Sequence, residues 1–340
     1  MIIKLKKLKK PFIIAELSAN HNGKIKNIFK LIDKAKECGA NAVKIQSYTP
    51  KSITLNCKNK YFYINSGPWK GNYLYDLYKK GTTPYEWHKK IFDYSQKKKI
   101  LCFSTPFDIE SVKILEKLKT KLYKVASFEI NHIPLLEAIG KTKKPVIVST
   151  GMASLEDIKL AIKTLKENGS KDIALLHCIS SYPSKVENYN INFFNKLKKF
   201  NLPIGLSDHS IGNVVAVSSI GFGAMIFEKH IKLDGQVGID SKFSTSTKQF
   251  KNYINDINLS FNCYGNENFV RDRIESSSKR HRRSIFISKN VLKNEKITTD
   301  NIAVVRPSNG IHPKFYKKVI GKKFKNNKKK GTPLKFEYVN

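Results

Sequence analysis

Two histidines each close a short apolar run about twenty residues apart. His209 stands in Leu206-Ser207-Asp208-His209-Ser210 after Pro203 to Leu206, and His230 in Phe227-Glu228-Lys229-His230 after Ala224 to Phe227. Runs of that length and composition read as β-strands. Two imidazoles therefore arrive at the ends of successive strands, where they could ligate a catalytic metal that keeps open positions. A strand-end histidine is more often a hydrogen-bonded structural residue. The pair gains weight only if other strands bring chemistry to the same place.

They do. In chain order, the ends of the other apolar runs offer Glu16, then Lys44 and Gln46, then Thr105, then Lys124, Ser127 and Glu129. After these come Ser149 and Thr150, then His177, Ser180 and Tyr182, with Ser207, Asp208 and Glu228 beside the two histidines. Polar or ionisable groups at one end of every apolar strand are hard to explain by packing, because burial without partners costs several kcal/mol each. Two lysines with Ser and Thr hydroxyls and the amides of Thr150-Gly151-Met152 suit a phosphate and an adjacent carboxylate. Glu16 is placed to act as acid or base. The composite is a phosphorylated anion and a metal in one site, with room for a second, polar substrate.

What must position these groups is a repeating alternation of strand and helix. Residues 12–19 read as a buried strand, Ile28, Leu31, Ile32 and Ala35 as a helix stopped at Gly39, and residues 42–47 as a second strand. That is a βαβ unit with parallel strands and a right-handed crossover. Strands follow at 100–105, 122–127, 146–150, 173–178, 204–207 and 225–230, with helical patterns such as 108–118, 155–167 and 214–220 between them. Ser154 and Asp157 make a capping-box-like helix start. Eight strands, each followed by a helix, with nothing marking a reversal of strand order, predict a (β/α)8 TIM barrel over residues 1–265. An open doubly wound sheet is the alternative. The interval before the helix at 84–95 is long and aromatic, with Tyr61, Phe62, Tyr63, Trp69, Tyr73, Tyr75, Tyr78, Tyr85 and Trp87. In a barrel such a loop emerges on the active-site face.

After a last helix at about 245–264 the texture changes. Residues 266–283 read as a polar linker, and 284–340 as a small β-rich domain with runs at 285–287, 303–305 and 317–321 and turns at Asn309-Gly310 and Lys330-Gly331. The chain has 340 residues, five cysteines without CxxC spacing, and 63 Lys+Arg against 27 Asp+Glu, a formal net charge of +36. The cysteines fit reduced thiols. Neither a membrane span nor a signal-peptide core is present, so the expected location is cytoplasmic. The charge raises nucleic-acid binding as the rival class. Most of the excess is dispersed lysine with no nucleic-acid module, which favours a solvated surface that steers anions inward.

Several ordered motifs resemble the sialic acid synthase family: Ala15-Glu16-Leu17-Ser18-Ala19-Asn20-His21-Asn22-Gly23, Val43-Lys44-Ile45-Gln46, Phe103-Ser104-Thr105-Pro106-Phe107 and Tyr123-Lys124-Val125-Ala126-Ser127. Ser149-Thr150-Gly151-Met152, Leu176-His177-Cys178, Gly205-Leu206-Ser207-Asp208-His209 and Glu228-Lys229-His230 continue the match. Arg282-Arg283-Ser284 and Val305-Arg306-Pro307-Ser308-Asn309-Gly310 resemble its antifreeze-like (SAF) domain. The resemblance implies condensation of phosphoenolpyruvate with an open-chain acetamido sugar, using manganese or another divalent cation. It implies that His209 and His230 bind the metal and that Lys44, Thr105, Lys124, Ser127, Ser149 and Ser207 hold phosphoenolpyruvate. Gln46, Glu129, Tyr182 and Asp240 would line the sugar side. Arg306 would reach into the partner's barrel in a domain-swapped homodimer.

One departure bears on the sugar. Ser180 stands where sialic acid synthases carry Asn, two residues before the matched Tyr182. Gly67-Pro68-Trp69-Lys70-Gly71, Leu74-Tyr75-Asp76-Leu77-Tyr78, Thr83-Pro84-Tyr85-Glu86-Trp87-His88 and Gly238-Ile239-Asp240-Ser241-Lys242-Phe243-Ser244 resemble the branch that makes pseudaminic acid. That branch takes 2,4-diacetamido-2,4,6-trideoxy-L-altrose, a sugar whose methyl and acetamido groups suit aromatic walls. N-acetylneuraminate and legionaminic acid synthesis are the alternatives within the family. An aldolase-like barrel that does not use phosphoenolpyruvate is the alternative outside it.

Overall fold

In the computed structural model, which describes residues 3–265 and 273–340, the apolar runs become eight parallel strands. They are β1 (Phe12–Glu16), β2 (Ala42–Ser47), β3 (Leu101–Pro106), β4 (Tyr123–Val125), β5 (Val146–Ser149), β6 (Ile173–Cys178), β7 (Ile204–Asp208) and β8 (Ile226–Lys232). The strands pair in sequence order, and β1 also pairs with β8, from Phe12 opposite Ile226 to Glu16 opposite His230. The sheet therefore closes into a barrel, and the open doubly wound alternative is excluded. A short β9 (Thr245–Ser246) extends the pairing at Ile231 and Lys232.

Closure gives each strand an inner and an outer face at period two. Phe12, Ile14, Ala42, Phe103, Ile147, Ala174, Leu176 and Ile226 fill the interior as one apolar cluster. Residues of the opposite parity, such as Ile13, Val43, Val148, Leu175 and Leu206, pack outward in the larger core that includes the helices. Gly205 is required on the inner face, since a Cβ there would lie 2.1 Å from the Ile226 carbonyl oxygen. Leu5, in the 3-10 turn Leu5–Lys7, joins the inner cluster. The Asp172 carboxylate holds that turn by accepting from Leu5 N at 2.7 Å and Lys6 N at 3.2 Å. Asp172→Ala should cost about 1–2 kcal/mol. Thermal denaturation checks this as a fall in Tm of roughly 2–8 °C.

The helices form where the 3.6-residue pattern places them. α1 (Ile25–Cys38) buries Ile28, Leu31, Ile32 and Ala35 and ends at Gly39 in the left-handed region. The aromatic interval is not a bare loop: it carries α2 (Pro50–Ile53), the 3-10 turn Lys60–Phe62 and α3 (Leu74–Gly81). Then come α4 (Tyr85–Lys97), α5 (Ile109–Lys117), α6 (Ile133–Lys141), α7 (Leu155–Glu167), α8 (Phe194–Lys198), α9 (Val214–Ile220) and α10 (Thr247–Tyr264). Asp108 caps α5, and Ser154 with Asp157 forms the capping box of α7. Among the described residues no helix is long and apolar enough to cross a membrane.

The chain forms two compact units, Met1–Tyr264 and Gly265–Asn340. Of the span read as a linker, residues 266–272 lie outside the described residues, as do Met1 and Ile2. Arg273–Ser278 form α11 and Lys279–His281 a 3-10 turn. In the second unit, β10 (Ser284–Ile287) pairs antiparallel with β11 (Ile302–Val305) over a core that includes Ile285, Ile287, Ile297, Phe324 and Leu334. Residues 317–321, expected as a β-type run, are instead mostly helical. Pro313 opens a 3-10 turn that continues into α12 (Tyr316–Val319), because proline pre-sets a helical φ and lacks the N–H a ladder needs.

Candidate active site

The inward parity that is apolar low in the barrel turns polar toward the strand C-termini. There it reaches Glu16, Lys44, Thr105, Lys124, Ser149, Cys178, Ser207, Glu228 and His230, all buried. They surround or underlie a cavity of about 370 Å³. Its floor is a charge cluster. Lys44 Nζ lies 2.7 Å from Glu16 Oε2 and 3.4 Å from Glu228 Oε1, and it donates to Thr105 Oγ1 at 2.9 Å. Gln46 Nε2 donates to Glu16 Oε1 at 3.2 Å, so Glu16 sits just beneath the cavity, fully buried. Lys124 Nζ donates to Ser149 Oγ at 2.6 Å and to the Val125 carbonyl at 2.9 Å.

Burial sets the proton affinities of this floor. It pushes the Glu16 carboxyl up to about 7, with Lys44 pulling against it and Glu228 reinforcing it. Burial alone would lower Lys44, but the two carboxylates win and hold its ammonium above the ordinary lysine range. Lys124 goes down, chiefly from burial, with Lys44 adding repulsion. Burial would raise Glu228, yet Lys44 and Lys124 bring it down. The result is a cationic patch at 44 and 124 with one carboxyl near neutrality beside it. That combination can hold a polyanion and exchange a proton at its edge.

One wall is aromatic. Tyr182 packs its ring 4.3 Å from His209, 4.8 Å from Phe243 and 5.5 Å from Trp69. Trp69, from the segment before α3, donates its Nε1–H to the Ile239 carbonyl at 3.3 Å. Asp240 accepts from Ala19 N at 3.1 Å and from Ser18 Oγ. Tyr48, Leu74, Leu77, Tyr78 and Phe128 complete an apolar mouth. Glu129, its carboxyl pushed up to about 7 by burial against the pull of Lys124, faces the same space.

The two imidazoles stand 5.4 Å apart, centroid to centroid. His209 Nδ1 is within 2.9 Å of the Ile179 carbonyl, which makes it the donor there and leaves the Nε2 lone pair for a ligand. His230 Nδ1 is buried with no hydrogen-bond partner, as is Glu228 Oε2. Burial, then the nearby His209 and Lys44 charges, hold His230 well below the ordinary imidazole range, so it stays neutral. A neutral His230 and the free Nε2 of His209, beside an unpartnered carboxylate oxygen, suit a divalent cation, which would displace the proton that Cys178 and Asp208 help His209 hold against burial.

Lys44, Gln46, Thr105, Lys124, Ser127, Glu129, Ser149, Tyr182, Ser207, His209, His230 and Asp240 all line the cavity. Ser180 does not: its hydroxyl packs over Gly151, where a Cβ would lie 2.3 Å from it. Arg306 is exposed in the C-terminal unit. Three other strand-end residues read as chemistry face away. His177 bonds through Nε2 to the Tyr189 carbonyl at 2.6 Å and packs on Phe194. Thr150 Oγ1 donates to the Leu176 carbonyl at 3.0 Å. Asp208 bonds to Lys229, behind the barrel wall. Cys178, Tyr48 and Ser18 line the cavity without having been singled out for it.

The closed parallel barrel and this mouth define an enzyme of the (β/α)8 class, with the site at the strand C-termini where that class works. Within the class, the NeuB family model matches residues 31–268 and the SAF domain model residues 282–339, and the chain belongs to the NeuB family. It is 42% identical over 329 residues to a pseudaminic acid synthase of Campylobacter jejuni, covering 96% of each chain. To the pseudaminic acid synthase of Helicobacter pylori it is 39% identical, covering 96% of this chain and 97% of that one. Among solved structures, the N-acetylneuraminic acid synthetase of Leptospira borgpetersenii in complex with citrate aligns with a TM-score of 0.71. That alignment has 31% identity and covers 79% of this chain and 90% of that one.

Proposed function

We propose that this chain is a pseudaminic acid synthase, condensing phosphoenolpyruvate, 2,4-diacetamido-2,4,6-trideoxy-L-altrose and water into pseudaminic acid and phosphate. The observation that carries this is one cavity with a cationic floor, Lys44 and Lys124, and an aromatic wall, Trp69, Tyr182 and Phe243. The floor suits a phosphorylated carboxylate, and the wall suits the methyl and acetamido faces of the sugar better than a hydroxyl-rich one. Identity of 42% and 39% to two pseudaminic acid synthases supports the same choice. Purified enzyme with both substrates and a divalent cation should release one phosphate per nine-carbon acid formed. Phosphate release that does not require the sugar would contradict the reading.

His209 and His230, with Glu228 beside them, are the residues that would hold the cation, manganese or another divalent ion. When bound, it would polarise the sugar aldehyde. The chain's own groups do the rest. Lys44, Thr105, Lys124, Ser127, Ser149 and Ser207 hold phosphoenolpyruvate so that its methylene carbon faces the aldehyde carbon, to which it bonds. Gln46, Glu129, Tyr182 and Asp240 orient the sugar. Positive charge develops at the central carbon of phosphoenolpyruvate and is quenched by water. The water's proton passes to Glu16 and on to the alkoxide formed from the aldehyde oxygen; the tetrahedral adduct then breaks its C–O bond to phosphate, its hydroxyl proton leaving with the phosphate as the keto group forms. Because Glu16 acts as its carboxylate and lies near 7, kcat/KM should rise with pH through about 7. In Glu16→Gln the remaining activity should lose that rising limb, as a pH–rate profile measures.

Exposed Phe128, Met152, Ile211, Val214 and Val237 lie on βα segments or beyond β8, toward the barrel mouth, an apolar rim that a second subunit would cover. We assign residues 266–283 as the linker and 284–340 as the domain that supplies Arg306 to the partner's site. Mixing inactive Arg306→Ala with inactive His209→Ala subunits should restore part of the activity, since one of the two hybrid sites is then intact. No recovery would argue against a shared site. The enzyme is assigned to the cytoplasm, where phosphoenolpyruvate is available.

A further inference from the structure

β7 and β8 carry a charged pair that the catalytic reading does not use. Strand parity sends Ser207, His209, Glu228 and His230 into the barrel and turns Asp208 and Lys229 outward, opposite each other in register. Both are buried to 1% exposure. Lys229 Nζ lies 2.8 Å from Asp208 Oδ2, donates to the carbonyls of Ser210 at 2.6 Å and Gly212 at 3.4 Å, and sits 5.0 Å over the Tyr253 ring of α10. Asp208 Oδ1 accepts from Ser210 N at 2.9 Å, Ser210 Oγ at 2.6 Å and the Tyr189 hydroxyl at 3.3 Å. That hydroxyl in turn accepts from the His209 amide at 2.7 Å.

This layer between strands and helices is otherwise built from residues such as Val148, Leu175, Leu206 and Phe227. A buried ion pair is a poor way to stabilise such a layer, since apolar side chains of similar volume do as well or better. Its bonds do something else. They tie the end of β7 to the end of β8 one residue before each imidazole. They also fix the turn at 208–212 on both sides of His209. An unbonded strand end could shift by a fraction of an ångström, and two ligands on separate strands cannot tolerate that.

We propose that Asp208 and Lys229, with the Tyr189 hydroxyl, are positioning residues that set the separation and orientation of His209 and His230 for a divalent cation. This rests on the reading of the two histidines as cation ligands. The test uses Co2+, whose visible absorption reports ligand geometry. It is added to the full-length protein and to the double variant Asp208→Asn/Lys229→Met, which removes both charges while keeping volume and the acceptor for Ser210 N. The variant should melt within a few degrees of the parent, bind Co2+ about 10- to 100-fold more weakly and show an altered spectrum. Affinity within twofold and an unchanged spectrum would overturn the proposal. Should the double variant not fold, Tyr189→Phe, which leaves the His209 amide without its acceptor, carries the test: weakened binding supports the proposal and parental binding overturns it. A parent without any His209-dependent Co2+ spectrum would remove the cation reading itself, and this inference with it.

Discussion

Replacing His209 with alanine should lower cation-dependent phosphate release by at least about 10³-fold while leaving the fold in place. The side chain is buried, its Nδ1–H is held by the Ile179 carbonyl, and its ring faces the cavity 5.4 Å from His230. Those are the marks of a ligand whose second nitrogen has been oriented in advance. If the ring were merely packing, truncation would lower Tm and leave kcat/KM of the folded fraction near the parent value. Steady-state phosphate release together with cation titration separates the two, and activity within tenfold of the parent would sink the ligand assignment.

The two floor lysines should respond to Met substitution in opposite ways on stability and in the same way on catalysis. Lys44→Met strips the partner from Glu16 at 2.7 Å and Glu228 at 3.4 Å, leaving two buried carboxyls without the cation in contact with them. It should destabilise the free protein by roughly 3–5 kcal/mol. Lys124 is different: its hydrogen-bond partners are neutral, Ser149 Oγ and the Val125 carbonyl, no carboxylate is in ion-pair contact with it, and burial outweighs the pull of Glu228 and disfavours its charge. Lys124→Met should leave Tm unchanged or raise it, as happens when a functional site gives up strain. Both variants should lose about 10²- to 10³-fold in kcat/KM for phosphoenolpyruvate. Thermal melts and steady-state kinetics on the two proteins check the pattern. A Lys124→Met variant that is unstable and fully active would contradict the assignment of that charge to an incoming anion.

Much of this was legible from the sequence because strands and sites obey simple periods. The eight apolar runs and the helix between each pair were readable from spacing, and only the β1–β8 pairing was needed to close the barrel. Parity explains the misreadings at strand ends. Adjacent residues face opposite ways, so His177 and Cys178 cannot both enter the cavity, and it is the thiol that does. The same rule puts Glu228 inside and Asp208 outside. Counting forward by twos from Leu176, Gly205 and Ile226 sorts them. Tyr48 and Ser18 were less accessible, since each lies just past a strand end where the backbone turns; Ser18 has φ of 46° and leaves the period. The helical turn at 316–319 was hidden because a run with one buried residue, Val319, has no period to read.

Competition between two sugars for one enzyme decides which acid this barrel makes. With phosphoenolpyruvate, a divalent cation and equal amounts of 2,4-diacetamido-2,4,6-trideoxy-L-altrose and N-acetylmannosamine, the products are identified by mass spectrometry as phosphate is counted. Pseudaminic acid should be the dominant product, formed one for one with phosphate. N-acetylneuraminate as the main product, or phosphate released without any nine-carbon acid, would contradict it.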